Sequence, residues 1–392
     1  MALSDSILQR LEEVVGPDRI STGDSNLSLH AKDESFHTPH PPDVVIWPES
    51  TEEVSRIVRI CYEEEIPVTP WGAGTSLEGN PIPVKGGVVI DLQQMNEILS
   101  IRENDLQVDV QAGVVFKDLN KKLARHGLFF PPDPGASATI GGMVANNASG
   151  IRAIKYGATK DLVQKLTVVL ADGTVIHPGT LAFKTSSGLD LCRLFAGSEG
   201  ILGIITEITL RLVGIPPEFL SATVSFPDTE SAALTISQII RSGLSPAALE
   251  LLGTACVRLV NKYTEDFSFP ESPLVLIEFH GTNRESLSVD LELVRELCED
   301  NGATHFRAGI GRQARTRLWE ARYNLHEFIL REHPGLEPMA IDTAVPISKL
   351  PALVGYAEEI TREKGIIGYV FGHAGSGNIH MPMPKTSWVS QP

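Results

Sequence analysis

Two histidines in the last part of the sequence could transfer a proton or bind a metal. His373 and His380 lie in the run Gly-His-Ala-Gly-Ser-Gly-Asn-Ile-His, which we predict to be a loop because glycine is frequent in it. One histidine in such a loop is usually incidental. Here two histidines lie on either side of Gly375-Ser376-Gly377-Asn378. For such a pair, the sequence supports a role as metal ligand or catalytic base and an incidental role equally.

An arginine pair lies in the run Arg317-Leu-Trp-Glu-Ala-Arg322, which is predicted to be helical. Judged locally, a solvated arginine on a helix surface is the favoured interpretation of both guanidinium groups. Trp319, between them, could be an ordinary core residue. A planar guanidinium is nevertheless the group best suited to hold a carboxylate by two parallel hydrogen bonds.

A glycine-rich loop, Trp71-Gly-Ala-Gly-Thr-Ser-Leu-Glu-Gly79, follows a predicted strand and could hold phosphate groups on its backbone N–H groups. A Rossmann dinucleotide site, with Asp91 as the ribose-binding acid, is disfavoured. The glycines are spaced G-x-G-x4-G, and the prolines and glycines that follow leave no room for a helix before the next strand. The local sequence favours a dinucleotide-binding loop but leaves a plain turn open.

Residues 132–213 contain an unusual density of Gly, Ala and Ser. Small residues let a backbone approach another surface closely. A flexible linker is disfavoured because Ile140, Met143 and Val144 are apolar. The composition favours a long, flat ligand that lies against backbone over a set of unusual turns.

The elements that must position these residues follow from periodicity. We predict a helix over 5–15, irregular chain over 25–43, and a helix after a capping box at Ser50 and Glu53. After a domain boundary at Pro216-Pro217, two β-α-β halves predict a ferredoxin-like second domain. The predicted strands are 44–47, 66–70, 87–92, 107–111, 166–170, 174–176, 220–226, 247–252, 274–279 and 304–307, and further helices cover 231–241 and 284–299.

Composition bounds the class of protein. The 392 residues carry a net charge of −16, and no basic stretch offsets it, which argues against nucleic acid as a partner. Four well-separated cysteines predict buried, reduced thiols rather than a zinc cluster. No apolar run approaches about 18 residues, so we expect no membrane span. With no targeting signal at the start, a cytoplasmic location is the expectation.

Five blocks in this order resemble the FAD-linked oxidases of the glycolate oxidase / D-lactate dehydrogenase family, within the vanillyl-alcohol-oxidase-type flavoproteins. The resemblance covers roughly residues 30–380. The blocks are Pro70–Ser76, Thr139–Gly150, Lys155-Tyr156-Gly157, Gly197–Gly200 and Gly372–His380.

The resemblance implies an α+β chain, with a two-part PCMH-type FAD-binding domain at 1–215 followed by a ferredoxin-like α/β cap domain for substrate at 216–392. FAD should be held without a covalent bond, because the phosphate loop contains no His or Cys. The implied cofactor-binding residues are Pro70, Trp71, Gly72, Ala73, Gly74, Thr75, Ser76, Gly79, Pro134, Thr139, Gly141, Gly142, Ala145, Asn146, Ser149, Gly150, Glu199, Gly200, Gly203, Ile204 and Asn378.

The resemblance also implies the catalytic residues. Arg322 matches the arginine that grips the substrate carboxylate, whereas Arg317 stays on the helix surface. His373 and His380 match positions that bind a divalent metal, commonly zinc, which would polarise the 2-hydroxyl of the substrate. The relatives usually carry Asp where this chain has Ser376, which weakens the charge of the loop.

The segment after His380 departs from the family, whose members continue through a Glu-His-Gly motif that completes the metal site. The ending, Pro384–Pro392, resembles nothing in the family. We therefore expect a chain truncated at its C-terminus, with poor turnover, a weak zinc site of two histidines, and exposed apolar surface near Tyr369-Val370-Phe371.

The predicted function is oxidation of a small 2-hydroxy acid, D-lactate or glycolate, by hydride transfer to flavin. Electrons would then pass to a quinone, a cytochrome or a partner subunit. The alternative is a catalytically incomplete FAD-binding chain or subunit. A nicotinamide enzyme of the Rossmann type is disfavoured by the loop spacing.

Overall fold

The computed structural model describes residues 3–265, 268–309, 312–336 and 338–384, with the side chains of 312–315, 338 and 340 excepted. The chain divides into two compact units. The first consists of Met1–Gly150 and Gly157–Ile215, and the second of Ile151–Tyr156 and Pro216–Pro392.

The α-helices are, in chain order, α1 Asp5–Val15, α2 Asp24–Leu29, α3 Thr51–Glu63, α4 Phe116–Leu123, α5 Ile140–Ala145, α6 Ala153–Tyr156, α7 Leu191–Phe195, α8 Thr229–Arg241, α9 Thr254–Tyr263, α10 Arg284–Asp300, α11 Arg312–Tyr323, α12 Leu325–Glu332 and α13 Leu350–Lys364. The strands are β1 Ile20–Ser21, β2 Val44–Ile46, β3 Val68–Trp71, β4 Val88–Asp91, β5 Ile98–Arg102, β6 Gln107–Gln111, β7 Leu128–Phe129, β8 Val163–Val169, β9 Val175–Ile176, β10 Ile204–Arg211, β11 Val213–Gly214, β12 Glu218–Ser225, β13 Ala248–Leu252, β14 Leu274–Gly281, β15 His305–Ala308, β16 Pro338–Ala344, β17 Phe371–Gly372 and β18 Asn378–Pro384.

The first sheet of the first unit has the order β1-β2-β4-β3, and β2, β4 and β3 run parallel. No helix lies between β3 and β4, so the glycine-rich loop connects two parallel strands without the crossover helix of a Rossmann unit. Asp91, at the end of β4, is buried, accepts a hydrogen bond from Trp47 and lies 3.0 Å from His30 Nε2. Its carboxylate is therefore part of the core rather than a ribose ligand.

The second sheet of this unit is antiparallel, in the order β5-β6-β10-β8-β9. The helices α1, α3 and α4 pack apolar faces into one core with both sheets. Ser50 caps α3 by accepting from Glu53 N at 3.2 Å, as predicted, but Glu53 accepts from Glu49 N rather than completing the reciprocal bond. The four cysteines are free and buried, also as predicted.

The second unit is built on four antiparallel strands in the order β15-β12-β14-β13. Numbered along the chain, this is the order 4-1-3-2 with α8 and α10 as crossovers, which confirms the ferredoxin-like prediction. The sheet continues beyond β13 through β17, β18 and β16. One face packs on α8, α10 and α13, and the other on α9, α11 and α12.

Three predictions about local structure are wrong. Residues 24–29 form α2 within the stretch predicted to be irregular, and a tertiary contact holds its end, since Nε2 of the buried His30 lies 3.0 Å from Asp91 Oδ2 at the end of β4. His380 lies within β18 rather than in a loop, because β16 pairs along this strand. Tyr369, Val370 and Phe371 are buried between sheet and helices, so the expected exposed surface is absent there. The segment 385–392 lies outside the described residues.

Candidate functional site

The glycine-rich loop leaves β3 with its backbone N–H groups available. Among the described residues, none accepts a hydrogen bond from the N–H groups of 73–77. Gly74 and Gly79 have φ of 67° and 79°, and a Cβ on Gly74 would lie 2.7 Å from the ring of Trp71. Consecutive unpaired N–H groups on such a turn form an anion-binding concavity. The loop therefore fits a cofactor that carries phosphate groups.

The small-residue tract packs against this loop. Thr139 caps α5 by accepting from Gly142 N, and a Cβ on Gly72 would lie 2.5 Å from the Thr139 hydroxyl oxygen. Asn80 donates to the side chain of Asn146 across 3.0 Å. The two segments that were predicted to bind cofactor are thus joined without intervening bulky side chains.

The third segment, 197–204, docks on the same tract. Glu199 N donates to Ala145 O at 2.9 Å, and Glu199 itself has a φ of 54°, which is uncommon for a residue with a side chain. A Cβ on Gly200 would lie 2.6 Å from Pro70. Loop, tract and third segment therefore meet within the first unit.

The predicted cofactor-binding residues lie in the first unit, except for Asn378. Those between Pro70 and Ile204 belong to the three segments of the first unit. For Gly141, Gly150 and Gly203, close packing on Ala112, Asp133 and Val169 already requires a small residue. Asn378 belongs to the second unit, where it begins β18 and donates to Asp342.

A buried carboxylate organises the second unit. Glu250, in the middle of β13, is fully buried. Its Oε1 lies 2.7 Å from His373 Nδ1, and its Oε2 accepts from Arg322 Nε at 2.9 Å. Burial raises the pKa of Glu250, but the facing charges of His373 and Arg322 outweigh it, so the pKa lies below its usual value. Glu250 is therefore ionised in the folded chain at neutral pH.

Arg322 is not the surface residue that local sequence favours. It is 7% exposed, and its guanidinium carbon lies 4.7 Å from the centre of the Phe371 ring. Nη2 lies 2.7 Å from Glu250 Oε2, yet it makes no aligned hydrogen bond with any described residue. Arg317, on the same helix, is exposed, as predicted. A buried guanidinium with unused donors is suited to bind an anion.

The two predicted histidines are brought together. The rings of His373 and His380 are 5.0 Å apart and nearly perpendicular. His380 Nδ1 lies 3.1 Å from Asp342 Oδ2. Burial raises the pKa of Asp342, but hydrogen bonding and charge attraction by His380 bring it below its usual value. Each ring therefore uses Nδ1 on a carboxylate, which leaves Nε2 for another partner.

The expected metal site is incomplete among the residues that the structure describes. No group of three or more His, Cys, Asp or Glu side chains in that part of the chain could hold a metal ion. A carboxylate on Nδ1 is the usual arrangement behind a metal-binding histidine. Two Nε2 atoms are nevertheless fewer than the three protein ligands of a catalytic zinc. No reaction step is therefore assigned to a metal.

Sequence reasoning missed Glu250 and Asp342. The signal for Glu250 was a single charged residue in the otherwise apolar strand Ala-Leu-Glu-Leu-Leu, since a charge is rarely buried without a partner. It also missed Glu278, buried on β14, which accepts from Trp319 Nε1 at 2.7 Å and lies 2.6 Å from His280 Nε2. Trp319 is therefore core, as one interpretation had it, with its N–H satisfied.

Two family domains match this chain. The FAD binding domain model matches residues 42–179, and the model of the C-terminal domain of FAD linked oxidases matches 215–384. The chain is 38% identical to the probable mitochondrial D-lactate dehydrogenase of Danio rerio, over 97% of the chain and 76% of that relative. It is 35% identical to the glycolate oxidase subunit GlcD of Bacillus subtilis, over 96% and 80%.

A third relative is D-lactate dehydrogenase [cytochrome] 1 of Saccharomyces cerevisiae, which is 34% identical over 96% of the chain and 67% of that protein. Among solved structures, alkyldihydroxyacetonephosphate synthase superposes with a TM-score of 0.78 at 21% identity, over 99% of the chain and 82% of the other. p-Cresol methylhydroxylase superposes with a TM-score of 0.77 at 19% identity, over 97% and 82%. These two likenesses define the fold.

The fold and the matched domains together define an FAD-dependent flavoprotein of the PCMH type, as predicted. Within that class the chain belongs to the FAD-linked oxidoreductase family of the D-lactate dehydrogenases and glycolate oxidase subunits. In the part of the chain that the structure describes, no helix has the length and apolarity that a membrane crossing requires.

Proposed function

We propose that this chain oxidises a small 2-hydroxy acid, D-lactate or glycolate, to the 2-oxo acid. The observation that carries the proposal is the buried Arg322, which is held on one edge by Glu250 and has donors left over, beside two histidines with Nε2 available. A guanidinium binds a carboxylate, and a histidine Nε2 accepts the proton of a hydroxyl. These side chains therefore suit a substrate in which a carboxylate and a hydroxyl are adjacent.

The region 1–215 is proposed to hold FAD and the region 216–392 to bind substrate. Bound FAD supplies the acceptor for a hydride from the substrate carbon. The N–H groups of 73–77 would bind the phosphates, and Asn378 keeps its predicted cofactor contact as a proposal. Arg322 would bind the carboxylate and fix the orientation of the hydroxyl-bearing carbon.

His373 or His380 would take the hydroxyl proton on Nε2. Loss of that proton and of one hydride converts the alcohol carbon to a carbonyl, so the two electrons and two hydrogens of the oxidation are accounted for. A positioned base typically contributes about 10²- to 10⁴-fold to such a step. The divalent metal expected on these two rings remains a prediction, and it is the alternative to this role because it would use the same Nε2 atoms.

The electrons are proposed to leave for an acceptor other than a nicotinamide. The yeast relative is named a D-lactate dehydrogenase [cytochrome], and the Bacillus relative is named a glycolate oxidase subunit. A cytochrome, a quinone or a partner subunit is therefore the proposed class of acceptor for this chain.

Arg322→Lys tests the proposal, with Arg317→Lys on the same helix as control. An ammonium is a point charge that cannot hold Glu250 and a planar carboxylate together. We expect the flavin to be retained while the second-order rate of its reduction by D-lactate falls roughly 30- to 1000-fold, which corresponds to about 2–4 kcal/mol. The measurement is anaerobic stopped-flow absorbance. Equal rates for Arg322→Lys and Arg317→Lys would refute the substrate role of Arg322.

A further inference from the structure

The Lys155-Tyr156 block of the sequence has no part in the proposed function. It lies in α6, and residues Ile151–Tyr156 belong to the second unit, although the segments before and after them in the chain belong to the first. Tyr156 Oη lies 2.8 Å from His280 Nδ1, and Lys155 Nζ donates to the His280 carbonyl oxygen at 3.0 Å. Both side chains of the block therefore contact one residue near the end of β14.

His280 continues this contact into the core of the second unit. Its Nε2 lies 2.6 Å from Oε1 of the buried Glu278. Oε2 of the same carboxyl group accepts from Trp319 Nε1 at 2.7 Å. One hydrogen-bonded chain thus runs from α6 across β14 to α11, through Tyr156, His280, Glu278 and Trp319. A buried polar network of this kind holds its members in one arrangement.

Trp319 and Arg322 lie three residues apart on α11, and both contact the sheet. Side chains at this spacing are neighbours on one face of a helix, with Cβ atoms about 5–6 Å apart. Trp319 donates to Glu278 on β14, and Arg322 donates to Glu250 on β13. The two carboxyl groups lie on the same face of the sheet, since Ala248 pairs with Glu278 and lies two residues before Glu250. The helix is therefore bonded to two neighbouring strands at two points.

Two contacts fix the position of a helix where one contact does not. With the Arg322 contact alone, α11 can turn about Glu250, and the guanidinium moves with it. The unused donors of Arg322 must match the two oxygens of a planar carboxylate. A displacement of about 1 Å in such a site can cost roughly 100-fold in rate. The bond from Trp319 to Glu278 removes this freedom.

We propose that Glu278, held by His280 and Tyr156, is a positioning residue that fixes the place of Arg322 through Trp319. It acts through other residues and needs no contact with the substrate. The inference deepens the proposed function and rests on it at one step, because it takes Arg322 as the group that binds the substrate carboxylate. The Lys155-Tyr156 block thereby serves the binding of substrate.

Trp319→Phe removes the N–H group of the indole and keeps an aromatic ring in the core. Trp47→Phe is the matched control, because Trp47 Nε1 donates to the buried Asp91 at 2.8 Å. Trp47 belongs to the first unit, which holds none of the residues proposed to bind substrate. Each substitution takes one indole donor from one buried carboxylate, so the losses of stability should be similar. The effects on anion binding should differ.

Two substitutions at Glu278 test whether the oxygen acceptor is the feature that matters. Glu278→Gln keeps an oxygen that can accept from Trp319, whereas Glu278→Met keeps only an unbranched side chain. Since Trp319→Phe and Glu278→Met remove the same bond, the double variant should be little worse than either single variant. Tyr156→Phe removes the outer bond of the chain and should weaken anion binding less, by roughly threefold.

The experiment uses the full chain with FAD bound. Calorimetry gives the dissociation constant for oxalate, anaerobic stopped-flow gives that for D-lactate, and thermal unfolding gives stability. For Trp319→Phe and Glu278→Met we expect both dissociation constants to rise roughly 10- to 100-fold, with FAD retained. Glu278→Gln should recover most of this loss, and Trp47→Phe should bind both anions as wild type does.

A purely structural role predicts another pattern. It would lower the melting temperatures of Trp319→Phe and Trp47→Phe alike and leave the oxalate affinity of both folded proteins unchanged, and that result would overturn the inference. A loss of affinity in Glu278→Gln as large as that in Glu278→Met would overturn it too. If Trp319→Phe or Glu278→Met does not fold, the oxalate affinity of Tyr156→Phe decides, and no change there is the contrary result.

Failure of the proposed function is a separate outcome. If wild type binds oxalate but no 2-hydroxy acid reduces its flavin, the proposed function fails, and the oxalate affinities of the variants still decide the role of Glu278. A wild type that binds neither oxalate nor D-lactate overturns the inference, because Arg322 then binds no carboxylate.

Discussion

At the scale of single residues, the proposed chemistry depends on charges that are buried together. The family resemblance identified Arg322, His373 and His380. In the structure, Arg322 and His373 contact Glu250, and the ring of His380 lies beside that of His373. Glu250 was not predicted. A single glutamate in an apolar strand indicates that a partner for its charge exists, but it does not indicate which residue that partner is. That choice is made by the pairing of β13 with β17, a contact between distant segments.

The depressed pKa of Glu250 predicts how stability depends on pH. Arg322, His373 and His380 are the charged and titratable groups that lower this pKa against the effect of burial. Because the folded-state pKa lies below the ordinary glutamate value of about 4.3, the stabilisation is present above that value. It is lost as pH falls through the folded pKa.

We therefore expect wild type to be more stable than Glu250→Gln by on the order of 3 kcal/mol at pH 7, because the variant leaves Arg322 buried without its counter-charge. The difference in the free energy of unfolding between wild type and Glu250→Gln should narrow as pH falls below about 4. Thermal unfolding from pH 7 to pH 3 measures it, with Glu278→Gln as reference. A gap that widens on acidification would contradict the assigned direction.

At the scale of elements, the spacing of apolar residues predicted secondary structure correctly where a helix or strand buries one face in the core. It predicted α1 and α3 closely, and the alternation of strands and helices predicted the ferredoxin-like order. It failed for α2, whose six residues have no apolar periodicity of their own. It failed also for β18, where histidine and proline obscure a strand that sheet pairing enforces.

The glycine-rich loop is the element whose proposed role, binding of the FAD phosphates, depends most on backbone conformation. Gly74 and Gly127 have nearly the same φ, 67° and 68°, but a Cβ on Gly127 meets nothing within 4 Å. We expect Gly74→Asp to lose FAD on gel filtration, because its carboxylate repels phosphate and its Cβ meets Trp71. Gly127→Asp carries the same backbone strain and should keep its FAD. Equal FAD content in the two folded variants, measured by absorbance, would contradict the phosphate-binding role of this loop.

At the scale of the whole molecule, most of the match to the FAD binding domain lies in the first unit and nearly all of the match to the C-terminal domain lies in the second. The first contains the segments with free backbone N–H groups, and the second contains the charged cluster. Both features could be predicted from the sequence, because the density of small residues and the order of the motifs can be read directly from it. It could not indicate the burial of Tyr369 to Phe371, which follows from the added strands beside β13.

The central claim is that the chain binds FAD and reduces it with a 2-hydroxy acid held by Arg322. Anaerobic titration of the purified 392-residue chain with D-lactate, followed with glycolate in a parallel sample, tests it directly. The account predicts a yellow protein that releases FAD on acid treatment and whose visible flavin bands bleach with one of the two acids. A colourless protein, or a flavin that dithionite bleaches but neither acid does, would contradict it.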